Sequence, residues 1–250
     1  MKRSTAILLV LVMILSLTAC GSEGSEGNPG ESQSSVLAQD PTNSPTGNET
    51  QDSSESPTAG NNTEQGSNIL VAYFSRVGNT VWEDGVDAVT SASLNVVNGE
   101  FAGNAQLLAQ MAQTVTGGDL FLIQTVDTYP SDYRETTDAA SVEQRNNARP
   151  VLASHVSNMD QYDTIVLIYP NWWGTLPQAL YTFLEEYDFS GKKILPLCTH
   201  EGSRMGSSER AIAGLCPDAT LLDGLAVRGA SAASAQSEVK TWINSSGILG

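Results

Sequence analysis

From residue 68 onward, apolar positions fall into two kinds of pattern. Residues 69–74, 119–124, 163–169 and 193–198 are short runs with few polar interruptions, rich in β-branched, leucine and aromatic side chains. A strand with one wet face alternates, so near-continuous runs of this length predict strands buried on both faces, as in a parallel sheet. A fifth, weaker run lies at 219–227. Between the runs the period lengthens. Ala105, Leu108, Ala109, Met111, Ala112 and Val115 share one side of a helix, with Asn104 as its expected N-cap and Gly117-Gly118 as its stop. Segment 133–147 is polar but free of Gly and Pro, and predicts a helix that ends before Pro150. Further helices are predicted near 178–187, 207–214 and 232–243.

Strands and helices thus alternate five times, with no internal repeat, which predicts one α/β domain over 68–250 folded as a three-layer sandwich. Ligands in such sheets sit beyond the carboxyl ends of the strands. Three polar, glycine-containing loops follow the first, third and fourth strands, and all three belong to that edge.

The chain ahead of the domain reads differently. Lys2 and Arg3 precede an apolar run at 6–17, too short to span a bilayer but suited to a secretory signal. Leu17-Thr18-Ala19-Cys20 resembles a bacterial lipobox, which implies a signal peptide over 1–19, cleavage before Cys20 and acyl chains on that cysteine. The protein is then expected outside the cytoplasmic membrane, anchored by lipid and not spanning it. Residues 21–67 are Ser, Gly, Asn, Glu, Thr, Pro and Gln with almost nothing apolar and no Lys or Arg, so 20–67 is expected to be a disordered tether.

Formal net charge is −16. Eight of the 28 acids lie in the tether, so from Asn68 onward 20 acids face 10 bases. A domain this acidic argues against nucleic acid or anionic lipid as partner.

The first loop, Ser75-Arg76-Val77-Gly78-Asn79-Thr80, offers side-chain donors at Ser75, Asn79 and Thr80. Gly78 permits a tight turn whose successive N–H groups would make a nest for a phosphate. An ordinary strand-ending turn has the same composition. In the second loop Trp172 and Trp173 are adjacent, and two neighbouring indoles do not pack easily into one core, so one is expected to face ligand or solvent. The third, Thr199-His200-Glu201-Gly202-Ser203-Arg204-Met205-Gly206, carries His200; His155 lies in a polar stretch and reads as a surface residue. Cys198 and Cys216 are expected to be buried thiols, with a disulfide as the alternative. No His/Cys cluster has metal-ligand spacing, and no nucleophile–base pair is recognisable.

Together the three loops resemble those of the flavodoxins, and the similarity runs from about residue 69 to 243. It implies a five-stranded parallel sheet of order 2-1-3-4-5 and non-covalently held flavin mononucleotide (FMN). By position, Ser75, Arg76, Gly78, Asn79 and Thr80 would hold the phosphate. Pro170, Asn171, Trp172, Trp173 and Gly174 would border the ring, as would Thr199, His200, Glu201, Gly202 and Ser203. Hydroxyls and oriented N–H groups suit a phosphate, Arg76 adds a charge-assisted contact, and indole supplies a flat apolar partner. An acidic domain and a poorly solvated slot disfavour an anionic reduced flavin and are expected to lower its potential.

Two features depart from that pattern. In flavodoxins the first helix begins almost directly after the phosphate loop, where its N–H groups help bind the anion; here residues 81–103 intervene. Either they loop out while 77–81 form a short helical turn, or Thr90, Ser91 and Ser93 fold back into the site. The loop after the fourth strand also lacks the aromatic that often covers the second ring face. Tyr129-Pro130-Ser131-Asp132-Tyr133 is a candidate for closing over the ring edge, or else a packed turn. Three functions remain in view: a one-electron carrier with a redox partner protein, a two-electron reductase of quinones or similar small acceptors, and a flavin-free binding module.

Overall fold

The computed structural model describes residues 68–88 and 92–250; the signal peptide, Cys20, the tether, Thr90 and Ser91 lie outside them. In chain order the elements are β1 Ile69–Tyr73, the hairpin β2 Leu94–Val97 and β3 Glu100–Gly103, α1 Asn104–Thr116, β4 Asp119–Leu122, α2 Tyr133–Arg145, β5 Thr164–Pro170, α3 Gln178–Glu186, β6 Lys193–His200, α4 Ser208–Leu215, β7 Thr220–Leu221, β8 Leu225–Arg228 and α5 Gln236–Ser245. Short 3-10 turns cover Met159–Gln161 and Gly229–Ser234.

All pairings in the main sheet are parallel, and the strands run β4-β1-β5-β6, with β7 and β8 both on the far edge of β6. Counted by position in the chain this is the expected order 2-1-3-4-5. The continuous apolar runs follow from burial on both faces. Ile69, Val71 and Tyr73 of β1 turn toward Leu108, Ala112, Val239 and Ile243 of α1 and α5, while Leu70, Ala72 and Phe74 turn toward Ala179, Phe183 and Ile212 of α3 and α4.

The fifth strand is in two pieces for a local reason. The carbonyls of Lys192 and Ile194 accept from Thr220 and Leu222, so alternate residues of β6 face the edge strand. The next residue facing that way is Pro196, which has no N–H to offer. There the ladder breaks: between the Ile194↔Leu221 and Leu197↔Leu225 pairs, two residues of β6 stand opposite three, a bulge. Gly224 sits in the bulge, where a Cβ would lie 2.6 Å from Met205 Cε at the end of a flexible side chain.

Residues 81–103 do not simply loop out. Their second half is the hairpin, paired from Leu94↔Gly103 to Val97↔Glu100 and turned by Asn98 and Gly99 at φ 54° and 86°. Both central residues are left-handed, as a two-residue turn matched to strand twist requires. The hairpin returns the chain so closely to β1 that a Cβ on Gly103 would stand 1.9 Å from Ser75 Oγ. Helix α1 therefore starts beside the end of β1 in spite of the insertion. Gly103, not Asn104, holds the N-cap position; Asn104 is the first helical residue, and its Nδ2 donates to the carbonyls of Ala92 and Leu94 at 3.2 and 3.4 Å. Only a residue without a side chain fits against Ser75.

Candidate functional site at the carboxyl rim of the sheet

The turn after β1 is closed by the Asn79 N–H on the Arg76 carbonyl, 3.0 Å, and no helical start follows it at 77–81. Gly78 has φ 95°, and a Cβ there would meet Leu122 Cδ2 at 2.6 Å, so two constraints require glycine. Asn79 is a brace. Its Nδ2 donates to the carbonyls of Ser75 and Ile123 at 2.9 and 3.0 Å, and its Oδ1 accepts from the Thr125 N–H and hydroxyl at 2.8 and 3.1 Å. That side chain stitches the end of β1 to the chain leaving β4. It is not free for the phosphate contact that the family resemblance implies, and none of its partners comes from the insertion. Ser75 Oγ accepts from the Val77 N–H at 3.2 Å. Thr80 Oγ1 is buried without a partner among the described residues.

Arg76 leaves this turn and runs beneath the neighbouring loops. It is fully buried. Nη1 donates to the Ala88 carbonyl at 3.1 Å, and Nη2 to the carbonyls of Pro130 and Ser131 at 2.8 and 2.9 Å. The guanidinium lies over Trp82 at 5.2 Å, and Trp82 in turn packs on Phe101 of the hairpin at 4.9 Å. One side chain thus ties the insertion and the turn before α2 to the end of β1. Its Nε has no partner among the described residues.

Arg76 forms part of the wall of a cavity of about 270 Å³, just below the usual range for small-molecule sites. The loop after β5 supplies another wall through Asn171, Trp172, Trp173 and Gly174. The two tryptophans divide their tasks. Trp172 packs edge-on against Phe74 and Tyr129, at 5.3 and 5.0 Å, and donates Nε1 to Ser93 Oγ at 2.9 Å. Trp173 is 57% exposed, with a left-handed φ of 51°, and is held to α2 by Nε1 on the Thr137 carbonyl and by Gln144 on its own carbonyl. Asn171 fixes the turn: its Nδ2 donates to the Arg204 carbonyl and its Oδ1 accepts from the Gly174 N–H, both at 2.9 Å. The Gly174 carbonyl accepts from the Ser207 N–H at 2.8 Å, and a Cβ on Gly206 would stand 2.2 Å from it, so the loops after β5 and β6 are closely packed. Pro170 ends β5, paired with Thr199.

From the end of β6 and the loop after it, Glu201 and Ser203 line the cavity and Thr199, His200 and Gly202 do not. His200 is a clasp: its Nδ1 accepts from the Gly202 N–H at 2.8 Å. Burial first, then the Arg228 and Arg204 cations, hold its pKa below the ordinary histidine value, which leaves it neutral at pH 7. Thr199 Oγ1 is another buried hydroxyl without a partner among the described residues.

Sequence reasoning missed one wall of the cavity and left another undecided. Ala92 and Ser93 line it, so the returning insertion is part of the site; Tyr133, Thr136, Thr137 and Ala140 contribute one face of α2, on which Thr136 and Ala140 are buried. The Tyr129–Tyr133 stretch carried the available signal. Asp132 caps α2 through the Glu135 N–H at 3.0 Å, and Tyr133 opens the helix at the cavity. Cys198 and Cys216 are free and buried, and burial raises both thiols, to about 12 and about 11. Among the described residues no group of three or more His, Cys, Asp or Glu could hold a metal ion, and no helix is long and apolar enough to cross a membrane.

The residues present fit a flat, partly apolar ring carrying negative charge. Two indoles and the Thr/Ala face of α2 supply flat apolar surface, a buried cation supplies charge, and Arg76 Nε in the cavity wall is a donor without a partner among the described residues. Known proteins share the architecture. A candidate flavoprotein from Bacteroides uniformis ATCC 8492 is 27% identical over 72% of this chain and 99% of its own, with a TM-score of 0.55. A second, from Bacteroides eggerthii DSM 20697, is 25% identical over 73% and 99%, with a TM-score of 0.56. A flavoprotein from Lactobacillus acidophilus NCFM, solved in complex with FMN, is 17% identical over 71% and 99%, with a TM-score of 0.47. No curated protein matches the chain. The profile of the Flavodoxin family matches residues 95–246, well over half of the sequence. The chain belongs to the flavodoxin family.

Proposed function

We propose that this protein binds FMN at the carboxyl rim of its sheet and works as an electron-transfer flavoprotein on the outer face of the cell membrane. The observation that carries the reading is the meeting of three loops, after β1, β5 and β6, around a cavity walled by two indoles and a buried arginine. FMN, when bound, supplies reversible electron uptake; the protein supplies position, exclusion of water and charge. Trp172, locked by Phe74, Tyr129 and Ser93, presents a fixed surface to the ring. Trp173, fastened to α2 and exposed, would border the ring. Thr80, whose hydroxyl has no partner among the described residues, and the start of α1 beside Ser75 would hold the phosphate. The lipobox-like Cys20 and the tether supply the location, and a redox protein or a small acceptor is the partner.

A second reading, a two-electron reductase of quinones or similar acceptors, is favoured by the exposure of Trp173 and by a rim at Glu201 and Ser203 that carries no aromatic cover. The purified protein is offered FMN and titrated with a reducing dye. Retained yellow flavin supports the binding reading, and a colourless protein that takes up none defeats it. Two separated one-electron waves support the carrier; one two-electron wave with rapid NAD(P)H-driven quinone reduction supports the reductase.

A further inference from the structure

We propose that Arg76 is the charge that sets the reduction potential of the ring in this cavity, in place of the phosphate contact implied by its position in the turn. This rests on the flavin-binding reading above. Ser75, Gly78, Asn79 and Thr80 are not among the residues lining the cavity, whereas Arg76 is, fully buried in its wall in company with Trp172 and Trp173. It belongs by geometry with the ring partners.

The electrostatics are unusual for a buried arginine. Its three hydrogen-bond partners are carbonyls, which orient the guanidinium without cancelling its charge, and among the described residues it forms no ion pair. Glu201, at the rim of the same cavity, stands 3.9 Å from Arg228. Burial pulls the Arg76 pKa down to about 10, with Asp132 acting the other way, so the group is a cation at neutral pH. Asp132 offsets the burial of this charge only in part, and a negative partner entering the cavity relieves more of that cost. Two electrons and one proton, taken from a reducing dye, leave an isoalloxazine with one net negative charge. A buried cation in the wall of the same cavity stabilises that form over the neutral oxidised one. The acidic surface acts in the opposite direction, but its charges are exposed and screened over about 10 Å at ordinary ionic strength, whereas Arg76 is not. The local cation therefore outweighs the net charge, and the potential lies above what the acidic composition implies.

Full-length protein is loaded with FMN and, separately, with riboflavin, which lacks the phosphate. Midpoint potentials are read by dye equilibration and folding by near-ultraviolet circular dichroism of the tryptophans. Arg76→Lys is expected to keep the potential. Arg76→Gln is expected to lower it by about 30 mV or more, a tenfold change for a two-electron couple, with either flavin. Because the guanidinium also ties three loops, sulfite addition to the wild-type flavin gives a measurement that needs no variant: the adduct is anionic and is expected to form more tightly than with free flavin. An unchanged potential in folded, FMN-loaded Arg76→Gln, a loss of FMN affinity with riboflavin unaffected, or sulfite addition no tighter than with free flavin overturns the assignment. Wild-type protein that retains neither flavin overturns the binding reading itself, a result distinct from these.

Discussion

At the scale of single residues, the site separates side chains that face a ligand from those that hold the loops in place. Asn79 is of the second kind. Replacing it with Leu leaves the carbonyls of Ser75 and Ile123 and the Thr125 N–H buried and unmatched. At ~1–3 kcal/mol for each of these buried unsatisfied groups, Asn79→Leu is expected to cost about 3 kcal/mol or more in urea unfolding. The two tryptophans give opposite balances. Trp172→Ala removes two edge-on ring contacts and a half-buried indole and is expected to destabilise by about 3–5 kcal/mol as well as weaken FMN. Trp173→Ala, at an exposed position, is expected to change stability by only about 1 kcal/mol. It still weakens FMN, as flavin fluorescence titration against thermal melts would reveal. Equal loss of stability in both would remove the division of roles. The doublet Trp172-Trp173 made this site visible in the sequence, but which indole turned inward depended on Ser93, 79 positions upstream.

At the scale of elements, the insertion decides how the site is built. Asn98-Gly99 between short apolar stretches is a strong local hairpin signal, and reading 81–103 for helical start signals alone passes over it. Gly99→Val puts a β-branched residue at φ 86°, an expected loss of about 1–3 kcal/mol. Since the hairpin delivers Ser93 to Trp172 and Gly103 to Ser75, this change is also expected to loosen FMN binding, measured beside unfolding. Full retention of FMN by a destabilised Gly99→Val would show that the hairpin is remote from the ligand. The break between β7 and β8 follows from Pro196 and was legible in principle. It requires knowing which edge of β6 the proline faces, and that is set by pairing.

At the scale of the whole molecule, the anchor proposed at Cys20 implies a simple fractionation result. Wild-type protein should sediment with membranes and Cys20→Ser should not, with flavin content unaltered; a variant that stays membrane-bound defeats the anchor. Within the domain, the sequence by itself determined the layer architecture, because strands buried on both faces must be apolar at every position and helices apolar on one stripe, patterns that survive without any partner being known. It also marked three loops for one rim, since parallel strands joined by helices put all their carboxyl ends on the same side. Only tertiary structure decided what those loops do. Whether Asn79 faces a ligand or braces β4, whether Arg76 joins the phosphate turn or the indoles, and whether α2 contributes a wall are questions of side-chain direction. That direction is fixed by groups far along the chain, Ile123, Thr125 and Ser131 among them, whose proximity no local pattern encodes.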